Sequence, residues 1–145
     1  MLGVNGQPKI RSIIFSDLGQ AASFMALDWV KEALQQSLGF VPYPATLNLR
    51  PKTSEDAEMW QLIQREIRGI DVSPAAGGFC KARLFAVEVE VEKTGGGARQ
   101  RSRGAVLLPD VRGYPKDKIE VVAPVRLKDQ LGLRDGDQLA LEFIL

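Results

Sequence analysis

Pro42-Tyr43-Pro44-Ala45-Thr46-Leu47-Asn48-Leu49-Arg50 is a proline-stiffened turn that runs straight into a short apolar strand. The two prolines fix the backbone ahead of the strand, and the spacing of two puts Thr46 and Asn48 on one face, opposite Leu47 and Leu49. A hydroxyl and an amide oxygen side by side can hold a hard cation or a phosphate oxygen. A plain strand after a proline-rich loop, with Thr46 and Asn48 merely half-exposed, gives the same local pattern. The rest of the chain has to decide between these readings.

Upstream, Ile10 to Phe15 is a compact β-branched run that predicts a strand, preceded by a loose lead-in over residues 1–9. It empties into the small-residue loop Ser16 to Ser23. Phe24, Leu27, Val30, Leu34 and Leu38 then recur at helical spacing, with Gly39 as the stop. Strand, small-residue loop and helix form the arrangement in which backbone N–H groups meet a phosphate. The helix itself reads as core packing.

Downstream, Thr53-Ser54-Glu55-Asp56 predicts a helix start, with Met59, Trp60, Ile63 and Ile67 on the buried side and Arg65 and Glu66 in solvent. Phe79 to Glu92 alternates through Leu84, Val87, Val89 and Val91, which makes Glu88, Glu90 and Glu92 a solvated acidic face. Thr94 to Arg103, with three consecutive glycines and Arg99, Arg101 and Arg103, reads as a hairpin loop leading to Ala105–Leu108. After a second irregular stretch at 109–118 come a strand at 119–123, a helical turn at 126–133, the tight turn Arg134-Asp135-Gly136-Asp137 and a last strand at 138–145. About six strands with helices that do not alternate one for one predict a mainly β, α+β chain, a small β-barrel in one domain spanning 1–145, rather than a doubly wound sheet.

Composition narrows the chemistry. The chain has 145 residues, a formal charge of +1, no histidine and one cysteine, Cys80. An intramolecular disulfide, a Cys/His zinc site and a histidine-based triad are thereby excluded, so any reaction must use carboxylates, hydroxyls, amides, cations or a bound metal. The near-neutral balance argues against a nucleic-acid partner, and no apolar run approaches the roughly 18 residues of a membrane span. A cytoplasmic protein without a membrane partner is expected.

The order of these motifs resembles a known family. Leu38-Gly39-Phe40-Val41-Pro42-Tyr43-Pro44-Ala45-Thr46-Leu47-Asn48 is similar to the Gly-Phe...Pro-Gly-Thr-Leu-Asn signature of the archaeal-type CTP-dependent riboflavin kinases. The loop from Ser16 to Ala22 matches their nucleotide loop in position. A third similar block runs from Tyr114-Pro115 through Ile119-Glu120-Val121-Val122-Ala123-Pro124-Val125-Arg126-Leu127-Lys128 to Leu133-Arg134-Asp135-Gly136-Asp137.

The resemblance implies a six-stranded cradle-loop barrel that transfers the terminal phosphate of CTP to riboflavin, giving FMN. It implies that Thr46 and Asn48 are the catalytic pair and hold Mg²⁺. It assigns the nucleotide to Asp17, Leu18, Gly19, Gln20, Ala21 and Ala22 together with Val125, Arg126, Leu127 and Lys128, and the flavin to Arg112 and Glu120. Phosphoryl transfer rests on positioning and charge neutralisation, so a site without histidine suits it.

The sequence also departs from the family pattern. Asp17 and Ala21 stand where glycines are usual, Gln20 where Glu is usual, and Ala45 before Thr-Leu-Asn where the family has glycine. Arg112 replaces a Thr, Gly113 a His and Lys128 an Arg. Two alternatives to a kinase therefore stand: a barrel of the same fold that binds nucleotide or flavin without turnover, and a swapped-hairpin-type DNA-binding regulator.

Overall fold

A computed structural model describes residues 6–16, 28–72, 81–91 and 100–144, with the side chain of Trp29 left out. Seven strands and three helices run in the order β1 (Lys9–Ile14), α1 (Asp28–Leu38), β2 (Leu47–Pro51), α2 (Ser54–Glu66), β3 (Ile70–Val72), β4 (Ala82–Val91), β5 (Gln100–Pro109), β6 (Ile119–Val122), α3 (Leu127–Gln130) and β7 (Gln138–Phe143). The strands pair antiparallel in the order β3-β4-β5-β6-β2-β1-β7, and β7 returns to pair with β4. Six of them thus close the expected barrel. The seventh, β3, shares an edge of β4 with β7: β3 takes Ala82–Leu84 and β7 takes Val87–Glu90.

Two apolar clusters explain why this closure is stable. Residues such as Ile10, Leu49, Val87, Val106, Val121 and Leu141 form the interior. On β4, β5 and β6 the alternate residues Leu84, Ala105, Leu107 and Val122 instead join Val30, Leu34 and Leu38 of α1 in a second cluster. Side chains on a strand alternate between faces, so β6 and the middle of β5 are buried on both sides, once by the barrel and once by α1. Gly104 sits where β5 and β6 approach too closely for a side chain; a Cβ there would lie 2.9 Å from the Val122 carbonyl oxygen.

The start of α2 follows the sequence reading and adds to it. Thr53 is its N-cap and accepts from the Asp56 N–H. Asp56, fully buried, accepts from the Arg11 backbone N–H at 2.9 Å and from the Thr53 hydroxyl at 2.6 Å. A carboxylate thereby continues the β1 ladder beyond the last rung supplied by β2, and it fixes α2 against the barrel.

Two expectations are corrected. Glu90 is buried rather than solvated, because β7 pairs with that edge of β4 and brings Glu142, also buried, beside it. Arg101, read as part of a loop, lies in β5 and compensates both carboxylates, at 3.0 Å from Glu90 and 3.7 Å from Glu142, with Lys9 3.5 Å from Glu90. Buried carboxylates persist only when paired, and these are. Arg103 is likewise in β5, its guanidinium 6.0 Å from the Phe40 ring. Glu92, Arg99, Phe24 and Leu27 lie outside the described residues.

Candidate functional site

The proline turn delivers β2 where the sequence placed it. Tyr43 donates its N–H to Ala123 O at 2.7 Å, and Ala45 N–H closes back on Tyr43 O at 2.8 Å, so the turn is anchored to the end of β6. From there Leu47 and Leu49 enter the core while Thr46 and Asn48 stay half-buried. The Thr46 hydroxyl lies 3.3 Å from Asn48 Oδ1.

Pairing of β2 with β6 sets Asn48 directly opposite Glu120. Thr46 Oγ1 is 3.2 Å from Glu120 Oε1, so three side-chain oxygens converge and share a single hydroxyl proton. Lys118 Nζ stands 3.9 Å from Glu120 Oε1, and Tyr114 donates its hydroxyl to Glu120 Oε2 at 2.6 Å.

Thr46 and Asn48 border a cleft of about 190 Å³, walled also by Phe15 and Ser16 at the end of β1 and by Arg126 and Lys128 around α3. The cleft holds its shape through the Asp135-Gly136-Asp137 turn: Gly136 N–H donates to Ile14 O at 2.8 Å and Ile14 N–H to Asp137 O at 2.9 Å. Gly136 has φ +91°, a conformation that favours glycine. Asp135 accepts from Lys128 Nζ at 2.9 Å and from the Ser16 hydroxyl. The Ser16 hydrogen bond, and after it the Lys128 ammonium, hold the Asp135 carboxyl below its ordinary value. Arg126 is turned toward Asp129, at 2.7 Å.

The structure thus gathers Thr46, Asn48, Arg126, Leu127 and Lys128 around one cleft, with Glu120 joined to it through Thr46. Val125 is exposed and does not line that cleft, and Arg112 is exposed in the turn between β5 and β6. Asp17, Leu18, Gly19, Gln20, Ala21 and Ala22 lie outside the described residues. Sequence reasoning missed Tyr114, Ser16 and Asp135 as parts of the site. Tyr114 and Asp135 stood within the motif block already quoted, and a phenol or carboxylate six or seven residues from a functional position was the available signal.

A metal reading has to fit these groups. No set of three or more His, Cys, Asp or Glu side chains able to hold a metal occurs among the described residues. Mg²⁺ differs from zinc in preferring oxygen over nitrogen and sulfur ligands, at about 2.0–2.1 Å in an octahedron, and in keeping several waters, so adjacent ligand oxygens lie about 2.9 Å apart. The 3.2 and 3.3 Å separations around Thr46 Oγ1 are close to that spacing. Thr46 and Asn48 therefore fit such an ion. No helix among the described residues is long and apolar enough to cross a membrane.

Comparison with known proteins points one way. Residues 14–143 match the family model for CTP-dependent riboflavin kinases, described as "Domain of unknown function DUF120". The chain is 36% identical over 141 residues to a riboflavin kinase of Archaeoglobus fulgidus, covering 97% of this chain and 56% of that protein. It is 33% identical over 136 residues to one of Pyrobaculum islandicum, covering 91% and 58%. For a riboflavin kinase of Aeropyrum pernix the identity is 33% over 132 residues, covering 90% of this chain and 92% of that one. The first two relatives are thus matched over little more than half their length.

Proposed function

The chain belongs to the CTP-dependent riboflavin kinase family, and on that premise we propose that it is a Mg²⁺-dependent kinase that phosphorylates riboflavin with CTP. The ribityl 5′-hydroxyl oxygen bonds to the terminal phosphorus of CTP, the bridge to the β-phosphate breaks, the hydroxyl proton passes to solvent, and FMN and CDP result. The observation that supports this best is the meeting of Thr46 and Asn48 with Lys128 and Arg126 in one cleft, with the Glu120 carboxylate joined to it through Thr46.

Each side chain has a task that its position allows. Thr46 and Asn48 would hold the cation, which when bound neutralises charge on the transferring phosphoryl group. Lys128 and Arg126 bring positive charge to the phosphate chain, Lys128 as a point charge where the family has a planar fork. Glu120, anchored opposite Asn48, accepts from the ribityl hydroxyls and so brings the acceptor next to the phosphate. The first loop, Asp17 to Ala22, together with Val125 and Leu127, completes the nucleotide site in this reading, and Arg112 joins Glu120 at the flavin.

The direct test is to incubate the purified protein with riboflavin, Mg²⁺ and either CTP or ATP and to separate the flavins. FMN is expected, with CTP the better donor. No FMN with any nucleoside triphosphate would sink the kinase reading, and a ligand-induced rise in melting temperature without product would leave a binding barrel in its place.

Asp135 supplies a second prediction. Its carboxylate and an incoming phosphate compete for the same Lys128 ammonium, so Asp135→Asn should lower the KM for CTP by about two- to fivefold, the worth of an exposed ion pair. The pH dependence has a definite sign. A carboxyl whose folded pKa is lowered stabilises the fold above its ordinary value of 3.8, and that contribution is lost only as pH falls below it. The clasp on Lys128 therefore opens only in the acid range, and the gain in the Asp135→Asn variant should not change as pH rises from about 6 to neutrality.

A further inference from the structure

Glu120 is buried, and what it can offer an acceptor depends on how its carboxylate is turned. A carboxylate has about four lone-pair positions. On Oε1, Thr46 and Lys118 approach at 3.2 and 3.9 Å, both longer than a strong bond. On Oε2, Tyr114 donates at 2.6 Å, the shortest of these contacts. Rotation of the carboxylate is therefore restrained chiefly from the Tyr114 side.

The turn between β5 and β6 is shaped to present that phenol. Tyr114 N–H donates to Val111 O at 3.1 Å and Lys118 N–H to Pro115 O at 3.3 Å, so two successive turns leave Arg112 and Gly113 exposed at the tip and fold Tyr114 back toward β6. The ring is half-buried. It also forms part of the wall of a 560 Å³ pocket together with Trp60, Gln64, Arg83 and Lys116.

We propose that Tyr114 is a positioning residue that aims Glu120 at the acceptor alcohol, an inference that rests on the kinase reading above. Its hydroxyl occupies one lone pair of Oε2 and leaves the remaining one for a ribityl hydroxyl. Without it the carboxylate is free to turn toward Lys118 and away from the acceptor. The hydroxyl reaches the acceptor through Glu120, so its effect falls on the flavin rather than on the nucleotide.

Tyr114→Phe keeps the ring and the pocket wall and removes only the donor. In the intact chain this variant should raise the riboflavin Kd, followed by quenching of riboflavin fluorescence, and lower kcat/KM for riboflavin, each by about tenfold, the scale of one hydrogen bond to a charged group. The KM for CTP should stay within about twofold. In a Glu120→Ala background, or Glu120→Gln should the alanine variant not fold, the same change should have less effect than it has alone, since two residues acting through one contact are non-additive. Equal loss toward both substrates with a fall in melting temperature would assign Tyr114 a structural role and overturn the inference. So would a Tyr114→Phe variant indistinguishable from the parent. If the parent chain itself neither binds riboflavin nor makes FMN, the kinase reading falls, and the positioning role falls with it.

Discussion

Thr46→Val should reduce kcat/KM for FMN formation by about a hundredfold or more, the scale for removing one group that stabilises charge in the transition state. Valine nearly matches threonine in volume, and Thr46 is only half-buried, so the fold loses little. What disappears is the oxygen that lies 3.3 Å from Asn48 Oδ1 and 3.2 Å from Glu120 Oε1. With valine there, two acceptors face an apolar methyl, and a cation placed between them has lost a ligand. The melting temperature of the free protein should shift by no more than about 3 °C, a change of roughly 1 kcal/mol or less. The rise in melting temperature on adding CTP with Mg²⁺ should shrink or vanish. Thr46→Ser restores the oxygen and should recover activity to within about tenfold of the parent. Near-parental turnover by Thr46→Val would remove Thr46 from the cation site.

How much of this was legible in the chain differs by feature. Thr46 and Asn48 share a face because strand periodicity is local, and Thr53 caps α2 because capping is local; both could be read without knowing any partner. Glu90 could not be read correctly. The alternation Glu88, Val89, Glu90 states only that the two kinds of residue face opposite ways, and whether the acidic side is wet depends on β7, about fifty residues on, pairing with the edge of β4. Likewise β3 escaped notice: three residues with Ile70 and Asp71 exposed carry no periodic signal, and their strand character comes from β4. The distance between Thr46 and Glu120, 74 residues in sequence and 3.2 Å in space, is likewise set by β2–β6 pairing. Glu120 entered the reading through the family resemblance, not through any local pattern. Tyr114 was quoted in the same block and left without a role, because a phenol's function depends on what its hydroxyl meets.

The largest effect on stability should come from Trp60→Ala, at about 3–5 kcal/mol. Trp60 is 1% exposed and leaves α2 to meet one ring on each side of the barrel's closing seam. It is edge-on to Phe85 of β4 at 5.7 Å and stacked on Phe143 of β7 at 5.9 Å. Those two strands close the barrel, with Val87 opposite Phe143 and Ile144 N–H donating to Ala86 O at 2.9 Å. The indole therefore covers the place where the cylinder is joined, and a cavity there removes contacts from both edges at once. For a domain whose total stability is about 5–15 kcal/mol, the loss is a large fraction, and the melting temperature should fall by about 10–15 °C. Trp60→Phe keeps an aromatic contact and should lose less than half as much. The location of the damage is the sharper test. Amide hydrogen exchange should quicken at Glu88 and Ile144 along the β4–β7 seam more than along the ten-residue β4–β5 ladder, because opening the seam leaves that ladder paired. Uniform acceleration across both ladders would mean that Trp60 stabilises the barrel as a whole and that closure has no separate weak point.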